Sequence, residues 1–373
     1  MNIGKKILIL IIIVLFSYII YSLMQNRRAI ISSIQEYKNK KIQIEGFGEK
    51  DDPNKDEIEE DIQTISDKIL YQIDNNKPIV YKNYDSNNNY TTIKDMFIKA
   101  SYNSAFTGRY LSSEMVKFCL SQGCRFLDFE VDNSDGIVVV KCTNKNGTNK
   151  TIDGATNPAF LEVLKCTLDA AFNQNVGSKY PITNTTDPLF INIRCSQLTY
   201  DNNVYPTVLQ KLMGDNYYKS YLNFTSSTTN FTSYNESSQI NTLKNKATIL
   251  FCSTDNKSST SNSNNSNYKY NISNAKIYSD ITPNKPRGTN TITMVFSDLT
   301  VLDQTISNPD VFTSVKDWDY NTTCISYYNY NDDTYLTQNE RKYENIFTTF
   351  NYSFIPMASL KSYIGSNPLY VKP

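Results

Sequence analysis

The sequence predicts an α/β domain built on a parallel sheet, open or closed into a barrel, behind a single N-terminal transmembrane helix. Two observations predict this. From about Ile93 helix-type and strand-type apolar patterns alternate along the chain, and the eighteen residues Ile7–Met24 carry no charge. A third observation limits the chemistry: the 373 residues include no histidine.

The apolar run ILILIIIVLFSYIIYSLM is bounded by Lys5 and Lys6 on one side and by Arg27 and Arg28 on the other. At about 1.5 Å per residue it is just long enough to cross a bilayer core as a helix. It is longer than the apolar core of a signal peptide, and no small-x-small cleavage site follows it, so it reads as an uncleaved, single-pass anchor. Residues 1–26 are therefore the anchor, 27–92 a stalk and acidic linker, and 93–373 the folded domain. Arg27, Arg28, Lys38, Lys40 and Lys41 outnumber Lys5 and Lys6, which leans the C-terminal domain toward the cytosol. The run Glu49–Asp61, EKDDPNKDEIEED with Pro53 inside it, reads as a solvated linker.

Within the domain, Ser112 and Ser113 cap a helix, EMVKFCLSQ, which stops at Gly123 and leads into the strand CRFLDFEV. A turn at DNSDG gives the strand Ile137–Lys141. The segment NPAFLEVLKCTLDAAFNQN, from Asn157, has helical apolar spacing at Phe160, Leu161, Leu164 and Leu168. Then come a buried strand, Pro188–Ser196, a helix, TVLQKLMGD, ending at Gly214, and a second buried strand, Ala247–Ser253. Two polar tracts, NFTSSTTNFTSYNESSQ and TDNKSSTSNSNNSN, read as loops. From Thr291, TITMVFSDLT and the Tyr-rich CISYYNYNDDTYLTQNERKYENIF supply closing strands and helices or a tyrosine-rich interface.

Without histidine the chain runs no His-activated Ser or Cys nucleophile, no imidazole proton shuttle and no His-ligated catalytic zinc. Carboxylate or lysine acid/base chemistry, oxygen-ligand Ca²⁺ or Mg²⁺ sites, and no chemistry at all remain. The 37 Lys and Arg balance the 37 Asp and Glu, so there is no electrostatic case for a nucleic-acid partner. Seven cysteines form neither a paired zinc spacing nor a disulfide framework, and several stand in apolar runs as buried thiols would. Sequons at Asn146, Asn184, Asn223 and Asn230 are what so Asn-, Ser- and Thr-rich a chain produces by chance. The Asn, Ile, Tyr and Lys bias, with an anchored domain, is compatible with a virion membrane protein of a large DNA virus, its domain contacting a capsid or envelope partner.

Read together, SYNSAF (Ser101–Phe106), GCRFLDFEV (Gly123–Val131), IVVVKCT (Ile137–Thr143), PLFINIRCS and ATILFC follow the order of the phosphatidylinositol-specific phospholipase C catalytic domain, and the chain resembles that family most over Ile93–Ser196. The resemblance implies a TIM-type (β/α) barrel with its site at the C-terminal ends of the strands. It also implies where the chain departs. Tyr102 stands at the first catalytic histidine, between Ser101 and Asn103, and the strand that should end in the second ends at Lys141 and Cys142. Asp128 and Glu130 keep two family acids, while Arg194 replaces a later one and Cys252 stands where a substrate-contacting lysine is usual. A phenol with an ordinary pKa near about 10 is a poor proton shuttle at neutral pH.

Strand parity gives an independent reading. Phe126, Asp128 and Glu130 share one face and Leu127, Phe129 and Val131 the other, which is apolar and must meet the helices. The acids then point inward with Asn192 and Arg194 of their strand and with Val139 and Lys141 of theirs. Two unpaired carboxylates there would be costly, so the expectation is a salt-bridged relic site of Asn103, Asp128, Glu130, Lys141, Asn192 and Arg194, with both bases supplying the charge a metal supplies in the family. No cofactor is expected. Lys141 has a second reading as a phosphate contact, and Arg109 and Arg125 read as scaffold.

The expected protein is thus a membrane-anchored, catalytically inactive barrel that binds a phosphoinositide headgroup or a protein partner. The alternative is an active phosphodiesterase with Asp128 or Glu130 as base and Tyr102 or Lys141 as acid. Under that alternative alone Ca²⁺ would sit on Asn103, Asp128 and Glu130.

Overall fold

The computed structural model describes residues 54–72, 80–84, 92–143, 148–173, 179–195, 204–222, 239–253, 275–277, 294–296, 324–327 and 338–367. The expected span Ile7–Met24 and both polar tracts, apart from Gln239 at the end of the first, lie outside them. No helix among the described residues is long and apolar enough to cross a membrane.

The first described element corrects the sequence reading. The second half of the expected linker begins a helix, α1 (Lys55–Gln72). Ile58, Ile62 and Ile65 recur at helical spacing and are buried, while Asp56 and Glu57 in the first turn suit the positive end of the helix dipole. The folded domain therefore takes in α1, and with it Tyr81 and Tyr84, which are also buried.

The strands are β1 (Met96–Ser101), β2 (Phe126–Ser134), β3 (Ile137–Lys141), β4 (Leu189–Cys195), β5 (Ala247–Ser253), β6 (Ala275–Ile277), β7 (Met294–Phe296), β8 (Cys324–Tyr327) and β9 (Phe354–Pro356). Seven of them run parallel in the order β5-β4-β2-β1-β8-β7-β6. β3 and β9 add antiparallel to β2 and β1, so the sheet is mixed. Among the described residues no ladder joins β5 to β6, the two ends of that order, so they do not show the closed barrel that was expected. The residues between Ser253 and Ala275 lie outside the described residues.

Local chemistry explains the elements that frame the site. β2 and β3 form a hairpin whose two turn residues, Asp135 and Gly136, both adopt positive φ, as a tight primed turn requires. α2 (Ser113–Ser121) starts where the Ser112 side chain accepts from Glu114 N at 3.1 Å. It ends toward Gly123, whose φ is +82° and where an added Cβ would lie 2.7 Å from the Tyr81 ring. α3 (Phe160–Phe172) and α4 (Tyr205–Gly214) follow, then the short α5 (Asn216–Tyr221), and α6 (Gln338–Phe350) and α7 (Met357–Ser366) close the described chain.

Each face of the sheet has its own core. Leu127, Phe129, Val131, Ile191, Ile193 and Ile249 pack with Phe118 of α2, Leu164 and Leu168 of α3 and Val208 of α4. Ile98, Ala100, Phe126, Phe190 and Leu250 form the opposite cluster with Phe354, Ile240 and Leu243. The Phe126 and Phe190 rings stack there at 6.0 Å. Two residues further along the same strands, on the same face, stand Asp128 and Asn192, so the apolar layer ends where the site begins.

Candidate functional site

The loop that leaves β1 is folded back onto β2. Ser104 N donates to Asp128 O at 2.8 Å, Asp128 N donates to Ser104 Oγ at 2.9 Å, and Ser101 Oγ and Ser104 Oγ lie 2.5 Å apart. This forces Asn103 into the left-handed region at φ 46°, a conformation asparagine tolerates better than most residues. The result is that Asn103 N donates to Asp128 Oδ2 at 3.1 Å and its side chain faces the ends of β2 and β4.

Sheet register does the rest. Asp128 lies beside Asn192, and Glu130 lies between Arg194 of β4 and Lys141 of β3. Arg194 Nε donates to both oxygens of Asp128, at 2.9 and 3.0 Å, and Nη2 donates to Asn103 Oδ1 at 2.6 Å. Its Nη1 is 4.0 Å from Glu130 Oε2, and Asn192 Nδ2 donates to Asp128 Oδ1 at 2.7 Å. The Tyr102 ring covers the guanidinium at 4.5 Å, within cation–π range. Asn103 Nδ2 donates to Cys142 Sγ at 3.3 Å. Tyr102, Asn103, Asp128, Glu130, Asn192 and Arg194 are all buried.

Lys141 stands apart from this group. Its Nζ is 2.9 Å from Asp132 Oδ2 and 3.8 Å from Glu130 Oε1, and its side chain is 22% exposed. Glu130 is held instead by Thr143, which donates from N at 3.1 Å and from Oγ1 at 2.5 Å. The expected two-base arrangement is thus unequal: Arg194 is the inner cation, and Lys141 mainly serves Asp132 at the rim. Sequence reasoning missed Asp132 and Thr143. Asp132 follows Glu130 by two residues, so the parity that selected Asp128 and Glu130 also marks it.

The electrostatics favour a fixed charge pair. Burial opposes the charge on Arg194, but Asp128, Tyr102 and Glu130 outweigh it and keep its pKa above the ordinary arginine range. Burial pushes the Tyr102 phenol well above its ordinary value although Arg194 opposes the shift, so the ring is neutral at physiological pH. A neutral phenol there is no base, and Asp128 gives both of its oxygens to donors. Nor do the residues fit a Ca²⁺ ion, which asks for six to eight oxygen ligands. The oxygens of Asn103 and Asp128 that would serve it accept from Arg194, and a second cation would sit against the guanidinium. Among the described residues no group of three or more His, Cys, Asp and Glu is placed to hold a metal.

The remaining sequence candidates are structural. Arg109 pairs with Asp61 of α1 at 2.6 Å. Arg125 is buried and donates to the carbonyls of Ala171 and Asn184 and to Asn184 Oδ1. Burial lowers its pKa to about 10, against the pull of Asp187, which leaves it charged at neutral pH. Asn184 is itself buried and bonded to Ser353 Oγ and Asp187, so this sequon is used inside the fold. The described cysteines, Cys119, Cys124, Cys142, Cys166 and Cys195, are free thiols, and Cys166 alone of them is partly exposed. Cys252 is in register with Arg194 on β5, and its side chain lies outside the described residues.

No protein-family profile matches the chain, and no curated protein matches it. Among solved structures it is similar to PLC21 of L. pealei, at 19% identity and a TM-score of 0.29, over 44% of this chain and 18% of that one. PLC21 of S. officinalis gives 17% identity and 0.26 over the same shares. A calcium-dependent phosphoinositol-specific phospholipase C from Pseudomonas sp., a Gram-negative bacterium, gives 11% identity and 0.38 over 75% of this chain and 99% of that one. The match thus spans less than a fifth of each PLC21 chain.

Proposed function

We propose that the chain is a membrane-anchored, phospholipase C-like module that binds a partner or builds a structure and does not turn over a phosphodiester. The observation that carries this reading is the Arg194 guanidinium on Asp128 and Asn103, in the place where the family resemblance asks for a metal ion. Phosphoryl transfer depends on stabilising charge as it develops and on a group that moves the proton. Here the cation is committed to Asp128, Tyr102 is a buried neutral phenol, and the chain contains no histidine. The uncharged run Ile7–Met24 supports the anchor.

The test is phosphodiesterase activity of the full chain in vesicles, on phosphatidylinositol and on a water-soluble analogue, with Ca²⁺ and with chelator. No turnover is expected in either condition. Turnover that Asp128→Asn abolishes would overturn the proposal and reinstate Asp128 as a base.

A further inference from the structure

We propose that α1 is a strap whose docking holds the site loop in place. This inference is independent of whether the site is active. The buried face of α1, Ile58, Ile62 and Ile65, belongs to the same apolar cluster as α2 and α3. Asp61, on the rim of that face, reaches the loop between β1 and α2. Its Oδ2 accepts from Thr107 Oγ1 at 2.8 Å, and its Oδ1 accepts from Arg109 Nε at 2.9 Å and Nη2 at 2.6 Å.

Those two loop residues form one turn. Thr107 N donates to Tyr110 O at 2.9 Å, and Thr107 Oγ1 accepts from Tyr110 N at 3.1 Å. One carboxylate therefore binds the turn through both of its oxygens. The turn is continuous with the site, because Phe106 N donates to Asn103 O at 2.8 Å and Asn103 is the residue bonded to both Asp128 and Arg194. Thirty residues separate Met24, the end of the uncharged run, from the start of α1 at Lys55. Undocking of α1 would remove the carboxylate to which both Thr107 and Arg109 donate.

A second tie on the same helix provides an internal control. Glu59 Oε2 accepts from Lys179 Nζ at 2.8 Å, at an exposed position. Hydrogen exchange of the full chain in vesicles is the measurement, comparing wild type with Asp61→Ala, Arg109→Ala and Glu59→Ala. Asp61→Ala and Arg109→Ala are expected to speed exchange of residues 103–112 by about tenfold or more while β4 stays at its wild-type rate. Glu59→Ala is expected to leave 103–112 unchanged. Arg109 is half-exposed, so its variant reads the same contact even where Asp61→Ala does not fold. Unchanged exchange over 103–112 in both loop-contact variants would overturn the proposal. So would acceleration spread equally over β2 and β4, because that reports general instability, or an equal effect of Glu59→Ala.

Discussion

Lys99 and Arg194 are both buried cations on one sheet, yet they stand on opposite faces of it and keep different company. Lys99, on β1, faces α6, where Nζ donates to Glu344 Oε2 at 2.6 Å and to Tyr81 Oη at 2.8 Å, between the rings of Tyr81 and Phe347. This is one cation and one anion sealed beneath a helix. Arg194, on β4, lies at the strand ends and contacts residues of β1's loop and of β2 together, including a left-handed asparagine. Burial and pairing are common to both, so neither property marks a site. What separates them is convergence: the Arg194 cluster gathers the Asn103 amide oxygen and the Asp128 and Glu130 carboxylates, from two chain segments, around one guanidinium, as a ligand cage does.

The largest expected effect comes from the sealed pair. Burial disfavours the charged form of Lys99, but Glu344 and Tyr81 outweigh it and raise its pKa, so the amine is charged across the physiological range. Lys99→Met leaves Glu344 buried without its cation, and should cost about 3–5 kcal/mol, a fall in Tm on the order of 10 °C. The double variant Lys99→Met, Glu344→Leu should recover most of that loss, because the pair itself contributes little beyond what apolar packing supplies. Thermal melts check both. A single variant as stable as wild type would show that the face under α6 admits water, and the contrast with the strand ends would collapse.

The two clusters also differ in how far the sequence foretells them. Asp128, Glu130, Asn192 and Arg194 are legible because alternation along two adjacent strands fixes their common face, and the apolar Leu127, Phe129 and Val131 say which way it points. The Lys99 network is illegible because its members are far apart: Tyr81 precedes Lys99 by 18 residues within what reads as a linker, and Glu344 follows it by 245. Parity shows only that Lys99 faces away from Ile98 and Ala100. Helix α1 is an intermediate case. Its acidic composition hides Ile58, Ile62 and Ile65, whose spacing is the available signal, and burial of that face outweighs the polarity of the rest. The left-handed backbone at Asn103 has only its residue type as a signal, since the loop is set by hydrogen bonds to β2.

The middle effect is expected at Arg194. Arg194→Ala removes the cation from Asp128 and the cover from the Tyr102 ring, and roughly 3 kcal/mol or less should be lost, since the strand ends can relax and admit water. The oxygens of Asn103, Asp128 and Glu130 would then face one another with no positive charge between them. Millimolar Ca²⁺ should return part of the lost Tm in this variant by binding the folded state, and should return none in Lys99→Met. A Ca²⁺ response in wild type, or the same response in both variants, would break the distinction between a cage and a sealed pair.

The smallest effect should come from Lys141, and it sharpens the comparison by dividing the site itself. Two bases facing two acids is the arrangement that strand parity predicts, yet the inner carboxylate is served by Arg194 and the rim by Lys141. The Lys141 side chain is 22% exposed, and that of Asp132, its nearer partner, is 42% exposed. Exposed pairs of this kind contribute about 1 kcal/mol or less and are screened by salt. Glu130 keeps its two Thr143 donors without it. Lys141→Ala should therefore shift Tm only slightly, and the shift should shrink further at high ionic strength, whereas the cost of Arg194→Ala should be nearly independent of salt. If Lys141→Ala instead matches Arg194→Ala at high salt, the 3.8 Å approach to Glu130 is as strong as the inner pair, and the positive charge of the site is shared between two strands.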